Sequence, residues 1–180
     1  RNHYYGKGTT TMSKIIILDD HKIFREGICQ LINEHDEHTV IANLYSDDGL
    51  CDLLNKRECD LLILDISLVD KSGLDILKVV SEKYPNLNVL MLTMHTESHY
   101  GIRALKAGAK GYLNKDCDSH ELFKAIEKIN AGKVYVSEKM EEALVNEIGI
   151  GGSKNGTLDS LSDREYEVFR LIGSGKRIGQ

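Results

Sequence analysis

An α/β fold built on a doubly wound, five-stranded parallel sheet is what this sequence predicts, and three observations predict it. Five short apolar runs alternate with five stretches whose apolar residues recur at helical spacing. One run, Leu61-Leu62-Ile63-Leu64, shows no polar alternation before it meets Asp65, which is how a strand covered on both faces reads. Finally, polar residues stand at the ends of these runs, where doubly wound sheets collect their ligands.

In chain order, residues 1–11 are polar and aperiodic and are read as a disordered or expression-derived lead, with Met12 as a possible start. Residues 14–18 form a first strand ending in Asp19-Asp20, and Ile23, Phe24, Gly27, Ile28, Leu31 and Ile32 predict a helix after it. Residues 39–44 give the second strand, and Asp47 is expected to cap a helix carrying Leu50, Leu53 and Leu54. The third strand ends at Asp65, followed by a helix with Leu74, Leu77, Val80 and Tyr84 that stops near Pro85. Residues 88–92 form the fourth strand, with Thr93 at its end. Ile102, Leu105 and Ala109 mark the next helix, which closes around Gly108. The fifth strand, residues 111–113, runs into Asn114-Lys115. Asp118 and Glu121 then predict a capping box for a helix with Leu122, Ala125, Ile126 and Ile129 on one face.

The expected domain therefore spans residues 12–132. A linker is expected over 133–157, containing a possible extension at 134–136, a short helix at 140–148 and a Gly-rich stretch at 149–156. A new amphipathic helix opens within 158–180, where Ser162 and Glu165 form a second capping box. Parallel pairing requires right-handed helical crossovers, and the common doubly wound order 2-1-3-4-5 makes the first and third strands neighbours.

Composition limits the function. Lys and Arg total 23 against 28 Asp and Glu, a net charge of −5, which argues against a generally basic nucleic-acid surface. Cys29, Cys51, Cys59 and Cys117 have no Cys-x-x-Cys spacing, so free thiols in a reducing compartment are expected. No apolar run is long enough to span a membrane and no signal peptide is visible, so a cytoplasmic location is expected and no membrane partner. His95 and His99 lie four apart but have no evident third ligand, and residues 149–152 lack the lysine and hydroxyl of a phosphate loop.

The strand order brings Asp19, Asp20 and Asp65 to one point. Two unit charges about 4 Å apart repel by roughly 4 kcal/mol at an effective dielectric near 20, so three carboxylates together call for a proton or a cation. Oxygen ligands in an open site suit Mg2+. Thr93 would add a hydroxyl and Lys115 a positive charge at the same rim, completing a phosphoryl-transfer site with Asp65 as nucleophile. Taken singly, the acids read as helix caps, Thr93 as a turn residue and Lys115 as a solvated lysine. Their convergence from four strand ends favours the shared site.

With Met91-Leu92-Thr93-Met94-His95 and Arg103-Ala104-Leu105-Lys106-Ala107-Gly108-Ala109-Lys110-Gly111-Tyr112-Leu113-Asn114-Lys115-Asp116, the chain resembles a CheY-like receiver domain of the bacterial two-component response regulators, in the NarL/FixJ branch, over about residues 14–130. The resemblance implies that Asp65 accepts a phosphoryl group from a sensor histidine kinase. It implies Mg2+ on Asp20, Asp65 and the backbone carbonyl of Ser67, with Asp19 acting through water. Thr93 and Lys115 would bind phosphoryl oxygens, Tyr112 would be an aromatic switch turning inward, and phosphorylation would promote a homodimer. Receivers commonly carry Pro at the position of Val69 and Asp at that of Ser72, so a less rigid loop is expected after Asp65.

Leu161-Ser162-Asp163-Arg164-Glu165-Tyr166-Glu167-Val168-Phe169-Arg170-Leu171-Ile172 resembles the opening of a LuxR-type helix-turn-helix domain. The base-reading helix of that family would lie beyond Gln180, so DNA is an expected partner of a longer protein and not of this chain alone. The competing functions are a haloacid-dehalogenase-like phosphatase and a receiver that binds partners without phosphorylation. The first is disfavoured because Ser67 stands where a second Asp is usual and because the acid pair precedes the nucleophile.

Overall fold

The computed structural model describes residues 12–94, 98–137 and 140–142. Five strands and five helices alternate: β1 (Ser13–Leu18), α1 (Lys22–Asn33), β2 (His38–Leu44), α2 (Leu50–Lys56), β3 (Leu61–Asp65), α3 (Gly73–Lys83), β4 (Asn88–Thr93), α4 (Ser98–Lys106), β5 (Gly111–Asn114) and α5 (Ser119–Asn130). The strands pair in parallel in the order β2-β1-β3-β4-β5, the topology expected from the sequence.

Strand side chains alternate between two cores. Ile16, Leu18, Leu62, Leu64, Val89 and Met91 pack on one face with α2, α3 and α4. Ile15, Ile17, Leu61, Ile63, Leu90 and Leu92 pack on the other with α1 and α5. Each buried Leu or Ile contributes roughly 2 kcal/mol relative to exposure, which is why Ile15–Leu18 of β1, Leu61–Leu64 of β3 and Val89–Leu92 of β4 are apolar throughout.

Register decides where those ends fall. Leu18 lies opposite Leu64, Asp65 opposite Leu92, and Thr93 opposite Asn114. The residues that follow β1, close β3 and β4, and follow β5 therefore share one edge of the sheet.

Three local expectations need correction. Asp47 does not cap α2 with its side chain: that helix starts at a left-handed Gly49 (φ 76°), and the Asp47 carboxylate pairs with Lys71 Nζ at 2.7 Å. Only half of the capping box on α5 forms. Asp118 Oδ1 accepts from the Glu121 N–H at 2.8 Å, but Glu121 Oε1 accepts from the Tyr135 hydroxyl at 3.0 Å.

The folded unit also continues past the boundary expected at 132. The Tyr135 N–H donates to the Lys110 carbonyl and the Tyr112 N–H to the Tyr135 carbonyl, a short parallel pairing beside β5. Tyr135, Val136 and Met140 are consequently buried. The expected helix at 140–148 lies beyond the described residues after Glu142, and so does the Gly-rich stretch. The lead at 1–11 and the segment at 158–180 lie outside them too.

Candidate functional site

Asp65 closes β3 and is 1 % exposed. The backbone around it is tightly held: the Ile66 N–H donates to the Leu92 carbonyl, and the Gly73 N–H donates to the Ile66 carbonyl at 2.8 Å. A Cβ on residue 73 would overlap the Asp65 carbonyl oxygen and Ile66, so only glycine lets α3 begin this close to the strand end. Asp65 Oδ1 accepts from the Ser67 N–H at 3.2 Å, and Oδ2 accepts from Lys115 Nζ at 2.7 Å.

The loop from 66 to 72 is secured without the usual Pro and Asp. Ser72 Oγ accepts from the Leu74 N–H and caps α3, Ser67 bridges Ser72, and Lys71 reaches Asp47. A cleft of about 390 Å³ lined by this loop and Tyr100 of α4 opens beside the strand end.

Lys115 enters from the residue after β5, placed by its own N–H on the Thr93 carbonyl at 2.7 Å. Only 2 % of its side chain is exposed. Its Nζ sits 2.7 Å from both Asp19 Oδ2 and Asp65 Oδ2, and 4.7 Å from the centre of the Phe24 ring on α1. Two carboxylates and an aromatic face meet the charge that water would otherwise solvate.

Asp19 follows β1, where its N–H still reaches the Leu44 carbonyl, and its Oδ1 accepts from the His21 N–H at 2.8 Å. The Arg25 guanidinium donates to the Asp19 carbonyl from one turn into α1. Asp20 is less covered, yet its Oδ1 is buried and makes no hydrogen bond of good geometry. Thr93 is fully buried at the end of β4.

His21 is a member of this cluster that the sequence reading missed. Its Nδ1 lies 3.2 Å from Asp19 Oδ1, 2.9 Å from Asp20 Oδ1, 3.4 Å from Asp65 Oδ2 and 3.3 Å from Lys115 Nζ. The signal was its place directly after an acid pair, where a chain turning into α1 must pass back over the strand ends.

Ligand atoms of Asp19, Asp20, His21 and Asp65 all fall within 4.8 Å of one another. Lys115 offsets one of the three carboxylate charges, which leaves a net negative pocket with an orphaned oxygen on Asp20. That donor set fits a hard divalent cation.

Tyr112 stands apart. It is 6 % exposed on β5, turned toward Gly101 of α4, where the Met140 side chain also packs. His95 lies outside the described residues, as does the side chain of His99. Cys117 is no competing nucleophile, since burial pushes its thiol up to about 11. Among the described residues, no helix is long and apolar enough to cross a membrane.

Comparison with known proteins agrees with the fold. Residues 15–127 match the family described as the response regulator receiver domain. The oxygen regulatory protein NreC of Staphylococcus carnosus is 33% identical over 168 residues, covering 90% of this chain and 77% of that protein. The transcriptional regulatory protein DegU of Brevibacillus brevis is 31% identical over 177 residues, covering 90% and 75%. Among solved structures, a LuxR-family two-component response regulator from Aurantimonas sp. SI85-9A1 aligns with a TM-score of 0.71 and 29% identity, over 76% of this chain and 98% of that one. Salmonella enterica RcsB, solved bound to promoter P1flhDC with the phosphomimetic BeF3−, aligns with a TM-score of 0.68 and 26% identity, over 91% and 78%.

Proposed function

Because the chain belongs to the response regulator receiver family, with LuxR-type relatives of the NarL/FixJ branch, we propose that Asp65 is its phosphoacceptor and that phosphorylation there switches a transcription regulator. The observation that carries this reading is the pairing of a buried Asp65 Oδ2 with Lys115 Nζ at 2.7 Å, beside Asp19 and Asp20.

In this reading an Asp65 carboxylate oxygen attacks the phosphorus of a phosphohistidine on a sensor kinase. The new P–O bond forms as the P–N bond breaks, and the histidine leaves with the electron pair. Mg2+, held by Asp20, Asp65 and the Ser67 carbonyl with Asp19 acting through water, would supply charge neutralisation for the transferring group. Lys115 keeps the charge of the phosphorylated Asp65 partly compensated, and Thr93 offers its hydroxyl to a phosphoryl oxygen. Such a chain is a signalling switch and not a turnover enzyme.

Tyr112 is the proposed aromatic relay to the face formed by α4, β5 and α5, whose reshaping would change self-association, toward a homodimer, or release the tethered domain. The receiver is assigned to the stretch 12–132 together with the segment through Met140 that packs on it, the linker to the remainder up to 157 and the start of a DNA-binding domain to 158–180. The promoter complex of RcsB supports DNA as the partner of the longer protein. Free thiols and the kinase partner both favour the cytoplasm.

The test is intact mass after incubation with Mg2+ and a small acyl phosphate. Wild type should gain one phosphoryl group, and neither the Asp65→Asn variant nor a chelated sample should gain any. An adduct of the same size on Asp65→Asn would move the acceptor elsewhere.

A further inference from the structure

We propose that Phe24 is a positioning residue for phosphoryl transfer: its ring face holds the Lys115 ammonium in the pocket and lets it pass from a carboxylate to a phosphoryl oxygen. The inference rests on the phosphoacceptor reading of Asp65 given above and adds a residue that acts through Lys115.

An ammonium carries three donors, and burial strips away the water that would otherwise meet them. Lys115 Nζ reaches Asp19 Oδ2 and Asp65 Oδ2 at 2.7 Å each, and His21 Nδ1 stands 3.3 Å away. Its fourth neighbour is the Phe24 ring, whose centre lies 4.7 Å from Nζ, inside the range of about 6 Å over which an aromatic face attracts a cation. Only 2 % of the lysine side chain is left to solvent. A leucine at position 24 would also be apolar, but it would offer no negative face to the charge.

That contact differs from the other three in having no fixed direction. Once Asp65 carries a phosphoryl group, the acceptor for Lys115 is no longer the bare Oδ2 but a phosphoryl oxygen beyond it. A partner held by a hydrogen bond would have to be given up for that shift. The ring quadrupole acts over the whole face, so the ammonium can move across it and stay stabilised at both ends of the step.

The ring is also held in place. Phe24 lies in the first turn of α1, half-buried, one turn before the buried Ile28 and packed on the core shared with α5. The start of α1 is tied to the pocket, because the Arg25 guanidinium donates to the Asp19 carbonyl and the Arg25 N–H to the His21 carbonyl. Ring and Asp19 carboxylate are therefore positioned together.

The test compares Phe24→Leu, which keeps an apolar side chain, with Phe24→Tyr, which keeps the aromatic face. In metal-free buffer, nitrogen-15 NMR reads the exchange of the Lys115 ammonium protons with water. Exchange should be faster by about fivefold in Phe24→Leu and close to wild type in Phe24→Tyr. With Mg2+ and a small acyl phosphate, intact-mass time courses should show phosphoryl uptake slowed by about fivefold in Phe24→Leu and rescued in Phe24→Tyr, a loss within what one cation–π contact is worth. Should Phe24→Leu fail to fold, Phe24→Met, closer in volume, takes its place in both measurements. Uptake at the wild-type rate in the non-aromatic variant, or a folded Phe24→Tyr as slow as it, would overturn the role of the ring and leave Phe24 as core packing. Failure of wild type to take up a phosphoryl group would overturn the phosphoacceptor reading and the role in transfer with it, while ammonium exchange would still report on the contact.

Discussion

A lysine whose side chain is 2 % exposed persists only where its charge is met, and Lys115 is met by Asp19 and Asp65 at 2.7 Å each. Replacing it with Met would leave three carboxylates facing one another without their internal cation. Lys115→Met should therefore lose about 3 kcal/mol of stability in metal-free buffer, as expected for one partner removed from a buried ion pair. Added Mg2+ should recover more of that loss than it adds to wild type, and urea unfolding with and without the ion measures both. Gly73 is constrained by shape: a methyl there meets the Asp65 carbonyl, so Gly73→Ala should cost about 1–3 kcal/mol and reduce phosphoryl uptake at Asp65 in the same mass assay. The positions of Asp19, Asp65 and Lys115 were legible because each adjoins an apolar run whose end can be read. His21 offered only its place after an acid pair, since where a loop side chain points depends on how the chain turns, and no periodicity records that.

At the level of elements, helices were read from spacing and their buried faces agree: Leu122, Ala125, Ile126 and Ile129 of α5 are all at or below 3 % exposure. The segment after α5 was harder, because a pairing as short as that of Tyr135 with Gly111 leaves no repeat to detect. Its packing is nevertheless specific. Met140 fills the space that a side chain at Gly101 would need, next to Tyr112, so three elements meet where neither α4 nor β5 alone would cover the tyrosine. Met140→Ala should cost about 2 kcal/mol or more, the usual range for a buried Met truncated to Ala. It should also speed hydrogen exchange at the Tyr112 amide, whose acceptor is the Tyr135 carbonyl. Unchanged exchange there would separate the Met140 contact from the strand pairing.

Across the whole molecule, the chemistry gathers at the carboxyl edge of the sheet, and a different titration sits at the opposite edge. His38 opens β2, is 6 % exposed and stacks on Phe123 of α5 with ring planes 9° apart, while His35 packs on the same phenyl at 4.0 Å. Burial, aided by the nearby His35, holds the His38 imidazole below its ordinary value of 6.5, against the opposing pull of Glu37 and Glu127. The folded chain thus binds this proton less readily than the unfolded one. Between the lowered folded value and 6.5 the unfolded state carries more protons, so stability must rise with pH there. The contribution is full above pH 6.5 and is lost as pH falls through the folded value. His38→Phe keeps a ring against Phe123 and removes the proton site, so urea midpoints measured across this window should rise with pH less steeply than those of wild type. A variant whose profile parallels wild type would place the acid sensitivity elsewhere, and the carboxylate pocket of Asp19, Asp20 and Asp65 at the carboxyl edge would be the next site to vary.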